Sequence, residues 1–387
     1  MQHRKQLSII QVKQLIISIM DKKRYIISGG GTGGHIFPAI SIARAIKRHD
    51  PTAEILFVGA HNRMEMEKVP AAGFKIVGLP IAGLQRGSIG KNLTFLPKLF
   101  VSLHKCRSIL REFKPNAVVG VGGYASGPLL YTAQRMKIPT LIQEQNSYAG
   151  LTNKLLAKRA NRICVAYEGM ERFFPAEKIV LTGNPVRQDL QEIKPNLPEA
   201  FKFFNLSQGT NVKTLLVIGG SLGARTINEC IGNNLDLLIR KKIQVIWQTG
   251  KYYYERALEE AAQYNSKNIH VYPFINRMDY AYSVADVIIS RAGAGTISEL
   301  CLVGKPVILV PSPNVAEDHQ TKNAMALVKN SAALMVTDKE APDSLVSQII
   351  HLLEQDEQQV RLRINIKKMA LPNADEVICN EVLKIAL

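Results

Sequence analysis

The run Gly29-Gly30-Gly31-Thr32-Gly33-Gly34-His35 sets a hydroxyl and an imidazole on backbone almost bare of side chains. Arg24-Tyr25-Ile26-Ile27-Ser28 before it reads as a short buried strand, and Phe37 to Arg48 after it reads as a helix. A glycine-rich turn between strand and helix offers backbone N–H groups at a helix N-terminus, which suits a phosphate. His35 closes the turn and adds a proton acceptor beside the anion; a lone histidine near a helix start is more often structural than catalytic, and the place at the mouth of an anion-binding loop reverses that reading. Packing alone does not call for so many glycines, because each costs conformational entropy. The loop therefore predicts a phosphate-bearing ligand and proton transfer.

Three further stretches repeat the theme. Gly120-Val121-Gly122-Gly123-Tyr124-Ala125-Ser126-Gly127-Pro128 also follows a strand and is predicted to open at the same sheet edge. Two such loops on one edge point to a diphosphate-bearing substrate on the first half of the chain. Leu215 to Ile218 leads into Gly219-Gly220-Ser221-Leu222-Gly223-Ala224-Arg225, again strand, turn and helix. Ser290-Arg291-Ala292-Gly293-Ala294-Gly295-Thr296-Ile297-Ser298-Glu299 does the same. There Thr296 and the amides suit a phosphate, and Glu299, one turn into the helix, suits a ribose diol; singly, they also read as a cap and a solvated carboxylate. Glu317-Asp318-His319-Gln320 reads as polar groups for sugar hydroxyls, or as a helix cap at Asp318.

Rival ligands fit less well. Gly29, Gly31 and Gly34 satisfy G-x-G-x-x-G, but the second strand ends Phe57-Val58-Gly59-Ala60 without the carboxylate that holds a nicotinamide cofactor's ribose; Glu54 sits at the wrong end. No Gly-Lys-Ser/Thr follows, so a Walker loop is excluded. No Asp-x-Asp and no His/Cys pair with metal spacing occurs, so neither a metal nor a cofactor is expected. A departing diphosphate would then be stabilised by helix N-termini, hydroxyls and an arginine.

The elements that must position these groups alternate strand and helix throughout. Strands are expected at Tyr25–Ser28, Ile55–Val58, Ala117–Val121 and Thr140–Gln143, then at Thr214–Ile218, Val245–Gln248, Val287–Ser290 and Val307–Val310. This is an α/β chain with two nucleotide-binding folds in tandem around a cleft. The break is expected near Gly183-Asn184-Pro185-Val186-Arg187, giving domains 20–184 and 185–364, with a C-terminal helix at about 365–387 able to pack back on the first. At 387 residues and net charge +17 the chain has room for two cores and favours anionic partners. The five scattered cysteines read as reduced, buried thiols. Met1 to Met20 is too interrupted by Gln and Lys for a signal peptide, and both methionines stand as possible starts.

Taken in order, the loop at Gly29–His35, Gly122–Pro128, Glu144-Gln145-Asn146, Gly183–Arg187, Gly219–Ala224 and Arg291–Glu299 resemble the MurG family, the peptidoglycan N-acetylglucosaminyltransferases. The resemblance covers nearly the whole chain from about Met20. It implies a GT-B fold, two Rossmann-like domains with parallel sheets facing a deep cleft. It implies an inverting, metal-independent transfer of GlcNAc from UDP-GlcNAc to the 4-hydroxyl of MurNAc in undecaprenyl-pyrophosphoryl-MurNAc-pentapeptide (lipid I), forming lipid II. The implied donor residues are Thr32, Gly33, Gly34, Asn146, Arg187, Ser221, Ile275, Ala294, Gly295, Thr296, Ile297, Ser298, Glu299 and Gln320. Within them, Ile275 backbone atoms would meet the uracil, Glu299 the ribose, Ser221 and Ala294–Thr296 the diphosphate, and Asn146 and Gln320 the sugar. His35 is the implied general base, with Gly31, Gly123 and Tyr124 near the acceptor diphosphate.

A lipid-anchored acceptor implies a peripheral protein on the cytoplasmic face of the cell membrane. Leu93, Phe95, Leu96, Leu99, Phe100, Val101 and Leu103, with Lys91, Lys98, His104, Lys105 and Arg107 nearby, read as a helix for an anionic membrane surface, or as a core helix with solvated lysines. Another lipid acceptor, such as diacylglycerol, is the alternative reading. No nucleic-acid motif is present, so nucleic acid is not an expected partner.

Overall fold

The computed structural model describes residues 22–81, 95–186, 190, 195, 197–209, 212–220 and 222–386. Within these the chain forms two compact units. The first holds residues up to Glu144, Ala149–Pro185 and Asp375–Leu387; the second holds Gln145–Tyr148 and Val186–Ala374. Residues 1–21, Lys91 and Leu93 lie outside the described residues.

The first unit is built on seven strands: β1 (Arg24–Gly29), β2 (Glu54–Ala60), β3 (Lys75–Leu79), β4 (Ala117–Gly122), β5 (Thr140–Glu144), β6 (Arg162–Val165) and β7 (Ile179–Leu181). They run in the order β3-β2-β1-β4-β5-β6-β7, every pair parallel. Parallel strands need crossovers, and the crossover helices cover both faces. Along β1 the side chains alternate. Tyr25 and Ile27 join one buried cluster, with Phe57 and Val119, and Ile26 joins the opposite one, with Val58 and Val118. Helices used below are α1 (Gly33–His49), α2 (Glu65–Ala71), α3 (Phe95–Phe113) and α4 (Ser126–Arg135).

The second unit repeats the plan with six strands: β8 (Lys213–Ile218), β9 (Ile243–Gln248), β10 (Ile269–Tyr272), β11 (Val287–Ser290), β12 (Val307–Leu309) and β13 (Leu334–Met335). Their order is β10-β9-β8-β11-β12-β13, again all parallel. Its helices include α5 (Arg225–Gly232), α6 (Ala294–Val303), α7 (His319–Val328) and α8 (Asp356–Lys368).

Both sheets turn around at their middle. In the first, chain order reverses between β1 and β4; in the second, between β8 and β11. Loops leaving two adjacent strands in opposite directions open a crevice at the strands' carboxyl ends, where such sheets bind ligands. All four small-residue motifs of the sequence follow these four strands.

The C-terminal segment differs from the single helix expected from about residue 365. α8 ends at Lys368, and the chain turns through Leu371-Pro372-Asn373, with Asn373 at φ 56°, before α9 (Ala374–Ile385) begins. Proline has no N–H for a continuing ladder, and asparagine tolerates the left-handed backbone. Residues 365–368 thus stay with the second unit, while α9 belongs to the first. There Ile378, Cys379 and Val382 join the cluster of Tyr25 and Ile27, and Arg48 on α1 reaches Asp375 at 2.6 Å. All five cysteines are buried, and burial pushes the thiols of Cys106, Cys301 and Cys379 up to about 12.

Candidate active site

The first unit's site forms where the loops after β1 and β4 meet. Thr32, with an extended backbone (φ −144°), is the N-cap of α1, and no side chain caps that terminus. Gly33 and Gly34 form its first turn. His35 follows with its backbone N–H on the Thr32 carbonyl at 3.1 Å. Its ring turns back over the loop: Nδ1 lies 3.0 Å from the Gly30 carbonyl oxygen and 3.4 Å from Thr32 Oγ1. A carbonyl only accepts, so Nδ1 carries the proton and Nε2 carries the ring's lone pair in the neutral form.

The β4 loop is shaped to receive that ring. Gly122 has φ +99°, and a Cβ there would stand 2.7 Å from His35 Cδ2. Gly123 packs as tightly: a Cβ there would stand 2.4 Å from the Gly30 oxygen. Tyr124 next to it is 46% exposed, and the Arg63 guanidinium lies 5.6 Å from the ring centroid.

Not every loop amide is open to an anion. Gly30 N–H donates to the Gly122 carbonyl at 3.3 Å, and Gly31 N–H donates to Glu65 Oε2 at 2.8 Å. The expected phosphate-facing amide of Gly31 is therefore already held by a protein carboxylate. Glu65 is 1% exposed, and its Oε1 also accepts the Ala60 N–H at 3.0 Å. Ala60 is where a dinucleotide fold keeps its ribose-binding acid. Here a carboxylate from the next helix fills that position. Sequence reading missed both Glu65 and Arg63; an acidic residue in a short helical pattern carries no sign that it will be buried.

In the second unit α6 starts at the mouth of the β11 loop. Its N-cap is Gly293, with no side-chain cap, and Ile297 N–H to the Gly293 carbonyl is the first rung of the helix at 2.9 Å. The amides of Gly295 and Thr296 precede that rung and point out of the helix start. Thr296 is thus not the cap. Ser298 Oγ donates to the Ala294 carbonyl at 3.2 Å, Ile297 is buried, and the Tyr282 hydroxyl lies 3.5 Å from Glu299 Oε2. Arg291 braces the loop from behind, donating to the Val310 and Pro311 carbonyls and pairing with Asp338.

Gln320, Ile275 and Asn146, all expected donor residues, likewise have polar groups engaged within the unit. Gln320 Oε1 accepts the Ser312 N–H at 2.9 Å and the Ala292 N–H at 3.2 Å, so its carbonyl ties two loops together rather than facing outward. Ile275 N–H donates to Gln248 Oε1 at 3.0 Å, while Gln248 Nε2 donates to the Gly220 carbonyl at 3.1 Å. Gln248, unremarked in the sequence, thereby joins the β8 loop to the Ile275 loop. Asn146 belongs with this unit: Asn323 Nδ2 donates to its Oδ1 at 3.1 Å, and Ser147 N–H donates to Asn323 Oδ1 at 2.9 Å. Asp318 has φ 52° and its carboxylate accepts the Thr321 hydroxyl at 2.7 Å. Arg187 and Ser221 lie outside the described residues.

Comparison with known proteins adds to this geometry. The glycosyltransferase family 28 N-terminal domain matches residues 25–165, and the family 28 C-terminal domain matches residues 214–378. A UDP-N-acetylglucosamine--N-acetylmuramyl-(pentapeptide) pyrophosphoryl-undecaprenol N-acetylglucosamine transferase of Parabacteroides distasonis is 59% identical over 366 residues, 95% of this chain and 99% of its own length. The chain belongs to the MurG family of glycosyltransferases. A Cytophaga hutchinsonii member of that family is 57% identical over 362 residues, 94% of this chain and 96% of its own. The crystal structure of Acinetobacter baumannii MurG superposes with TM-score 0.77 at 28% identity, covering 94% of this chain and 99% of that one. The fold is GT-B: two Rossmann-like domains, each on a parallel sheet. A UDP-GlcNAc 2-epimerase from Neisseria meningitidis shares the fold at TM-score 0.62 and 16% identity.

Proposed function

We infer that the protein transfers GlcNAc from UDP-GlcNAc to the 4-hydroxyl of MurNAc in lipid I, yielding lipid II for peptidoglycan synthesis. Family membership over nearly the whole length supports the substrates. The observation that carries the chemistry is His35, whose Nδ1 is tied to the Gly30 carbonyl so that Nε2 is the basic nitrogen. In one step Nε2 takes the proton of the acceptor hydroxyl and the oxygen attacks C1 of GlcNAc. The C1–O bond to UDP breaks with its electron pair on the diphosphate, and the anomeric configuration inverts.

The departing charge calls for fixed dipoles. The start of α6, through the amides of Gly295 and Thr296 and the Thr296 hydroxyl, supplies them together with Ser221 and Arg187. Glu299 takes the ribose, the Ile275 backbone the uracil, and Asn146 and Gln320 the sugar, with Thr32, Gly33 and Gly34 completing the donor set. Binding uracil at the Ile275 amide requires Gln248 Oε1 to give up that N–H. Tyr124, Gly123 and the Gly31 loop receive the acceptor diphosphate, aided by the Arg63 guanidinium beside Tyr124. No metal takes part.

The acceptor's lipid tail requires a membrane surface, met peripherally at the cytoplasmic face. α3 offers a matching stripe. Leu96 and Phe100 are 61% and 69% exposed at helical spacing, with Val101 beside them. His104, Arg107 and Arg111 continue the stripe as basic residues. Lys105, an expected headgroup ligand, instead donates to the Gly78 carbonyl at 2.9 Å. No helix among the described residues is long and apolar enough to cross a membrane.

The test is transfer of labelled GlcNAc to a short-chain lipid I analogue in the presence of EDTA, for the unaltered protein and His35→Ala. Lipid II analogue forming without metal, and falling a hundredfold or more in the variant, is the expected result, a general base being worth roughly 10² to 10⁴. Product undiminished in His35→Ala removes the base from the mechanism. No product, with UDP binding intact, removes the acceptor.

A further inference from the structure

The peptide bond between Gly30 and Gly31 is held at both ends. Its carbonyl oxygen accepts His35 Nδ1 at 3.0 Å, and its N–H, on Gly31, donates to Glu65 Oε2 at 2.8 Å. Carboxylate, peptide and imidazole thus form one continuous line of hydrogen bonds. We propose that Glu65 is a positioning residue for the transfer, a buried carboxylate that fixes and polarises the Gly30–Gly31 peptide so that its carbonyl holds His35 in the tautomer with Nε2 basic. The proposal rests on the reading of His35 as the general base.

Four observations carry it. Glu65 is 1% exposed, and both its oxygens are occupied by backbone donors: Oε2 by Gly31, Oε1 by Ala60 at 3.0 Å. Among the described residues its hydrogen-bond donors are these two backbone amides, so its charge falls on the two peptides it holds. The seat is made to measure: a Cβ on Gly30 would stand 2.2 Å from Glu65 Oε1, so only a bare Cα lets the carboxylate reach the peptide. Finally the peptide before it is anchored as well, Gly30 N–H donating to the Gly122 carbonyl at 3.3 Å, so the loop is held on both sides of Gly30.

The chemistry follows from donor and acceptor counting. An ionised carboxylate accepts through both oxygens, whereas a glutamine offers one acceptor and sets an NH₂ against the remaining N–H. A negative charge at the peptide N–H strengthens the carbonyl at its other end as an acceptor, since hydrogen bonds in series polarise one another. A stronger acceptor at Nδ1 keeps the proton there and leaves Nε2 for the substrate hydroxyl. Hydrolases set such an imidazole with a carboxylate in direct contact; here a peptide stands between the two.

The experiment combines ¹⁵N NMR of histidine-labelled protein with steady-state kinetics, for the unaltered protein, Glu65→Gln and His35→Ala. The unaltered protein is expected to show His35 protonated at Nδ1 when the ring is neutral. Folded Glu65→Gln is expected to show a mixed tautomer. Its kcat should fall on the order of tenfold, less than for His35→Ala, with KM for UDP-GlcNAc unchanged. A His35 proton on Nε2 in the unaltered protein overturns the proposal without any variant. So does a folded Glu65→Gln with the unaltered tautomer. Should that variant fail to fold, Glu65→Asp, which keeps the charge but shortens the reach, must shift the tautomer in the same direction. Full activity in His35→Ala would refute the base while leaving the tautomer measurement to judge Glu65 separately.

Discussion

Lys305 follows the left-handed Gly304 that ends α6, and its Nζ donates to the Ser283 carbonyl at 3.3 Å. Burial pushes this ammonium down to about 8, with Asp286 acting the other way. In the unfolded chain the group titrates near 10.5. Below pH 8 both states are charged and the folded state bears the whole desolvation cost. From pH 8 to 10.5 the unfolded state binds more protons, so this group's contribution to stability rises with pH. Lys305→Met is expected to raise the unfolding free energy measured in urea at pH 7 by up to about 3 kcal/mol, with most of that gain lost by pH 10. A gain that persists at pH 10 would mean packing, not charge, is responsible. The same contrast governs what a sequence discloses about a site. His35 and Thr296 stand out because glycines surround them. Glu65 does not, because its burial depends on Gly30 lying beside it in space, thirty-five positions away along the chain.

Strands were legible as apolar runs between turns, since both faces of a parallel sheet are covered. The structure extends most of the expected strands by one to three residues, as at β2, which runs Glu54–Ala60 where Ile55–Val58 is expected, leaves β11 at Val287–Ser290 and ends β12 one residue early at Leu309. Helix ends were less legible. α1 begins at Gly33, inside the glycine run, because uncapped glycines enter a helix when tertiary bonds hold the loop before them. Glu317 and Asp318 both adopt positive φ, a backbone choice made by the packing of the loop ahead of α7. The polar bonds that tie Gln320 and Gln248 across loops are likewise tertiary. For α3, the exposed Leu96 and Phe100 are a four-residue repeat that the periodicity did contain. Leu96→Gln with Phe100→Gln is expected to weaken binding to anionic phospholipid vesicles on the order of tenfold or more, each apolar side chain being worth about 1.5–3 kcal/mol when buried. UDP binding should be unchanged. Equal vesicle sedimentation of both proteins would move the membrane contact elsewhere.

The molecule repeats one sheet plan twice, and in both sheets the loops at the central reversal carry the small-residue motifs. That arrangement was readable from the recurrence of strand, turn and helix. The return of α9 to the first unit follows from the Pro372-Asn373 break and from the apolar stripe Ile378, Cys379 and Val382. Removing residues 375–387 strips that stripe from the core cluster of Tyr25 and Ile27. Limited proteolysis of the truncated protein is expected to spare a fragment near residues 186–374 and to digest the first unit. Equal protection of both would make α9 dispensable. The return of α9 also sets a timetable. A chain leaves the ribosome at roughly 5–20 residues per second. Between the last strand of the first sheet, ending at Leu181, and α9, all of the second unit but Gln145–Tyr148 must be synthesised. For roughly 10–40 s, at that rate, the earlier unit waits with an apolar groove open while the later one closes. Production of this enzyme therefore makes its heaviest demand on chaperones while residues 186–374 are being synthesised, and codon choice or temperature that slows that stretch lengthens the exposure.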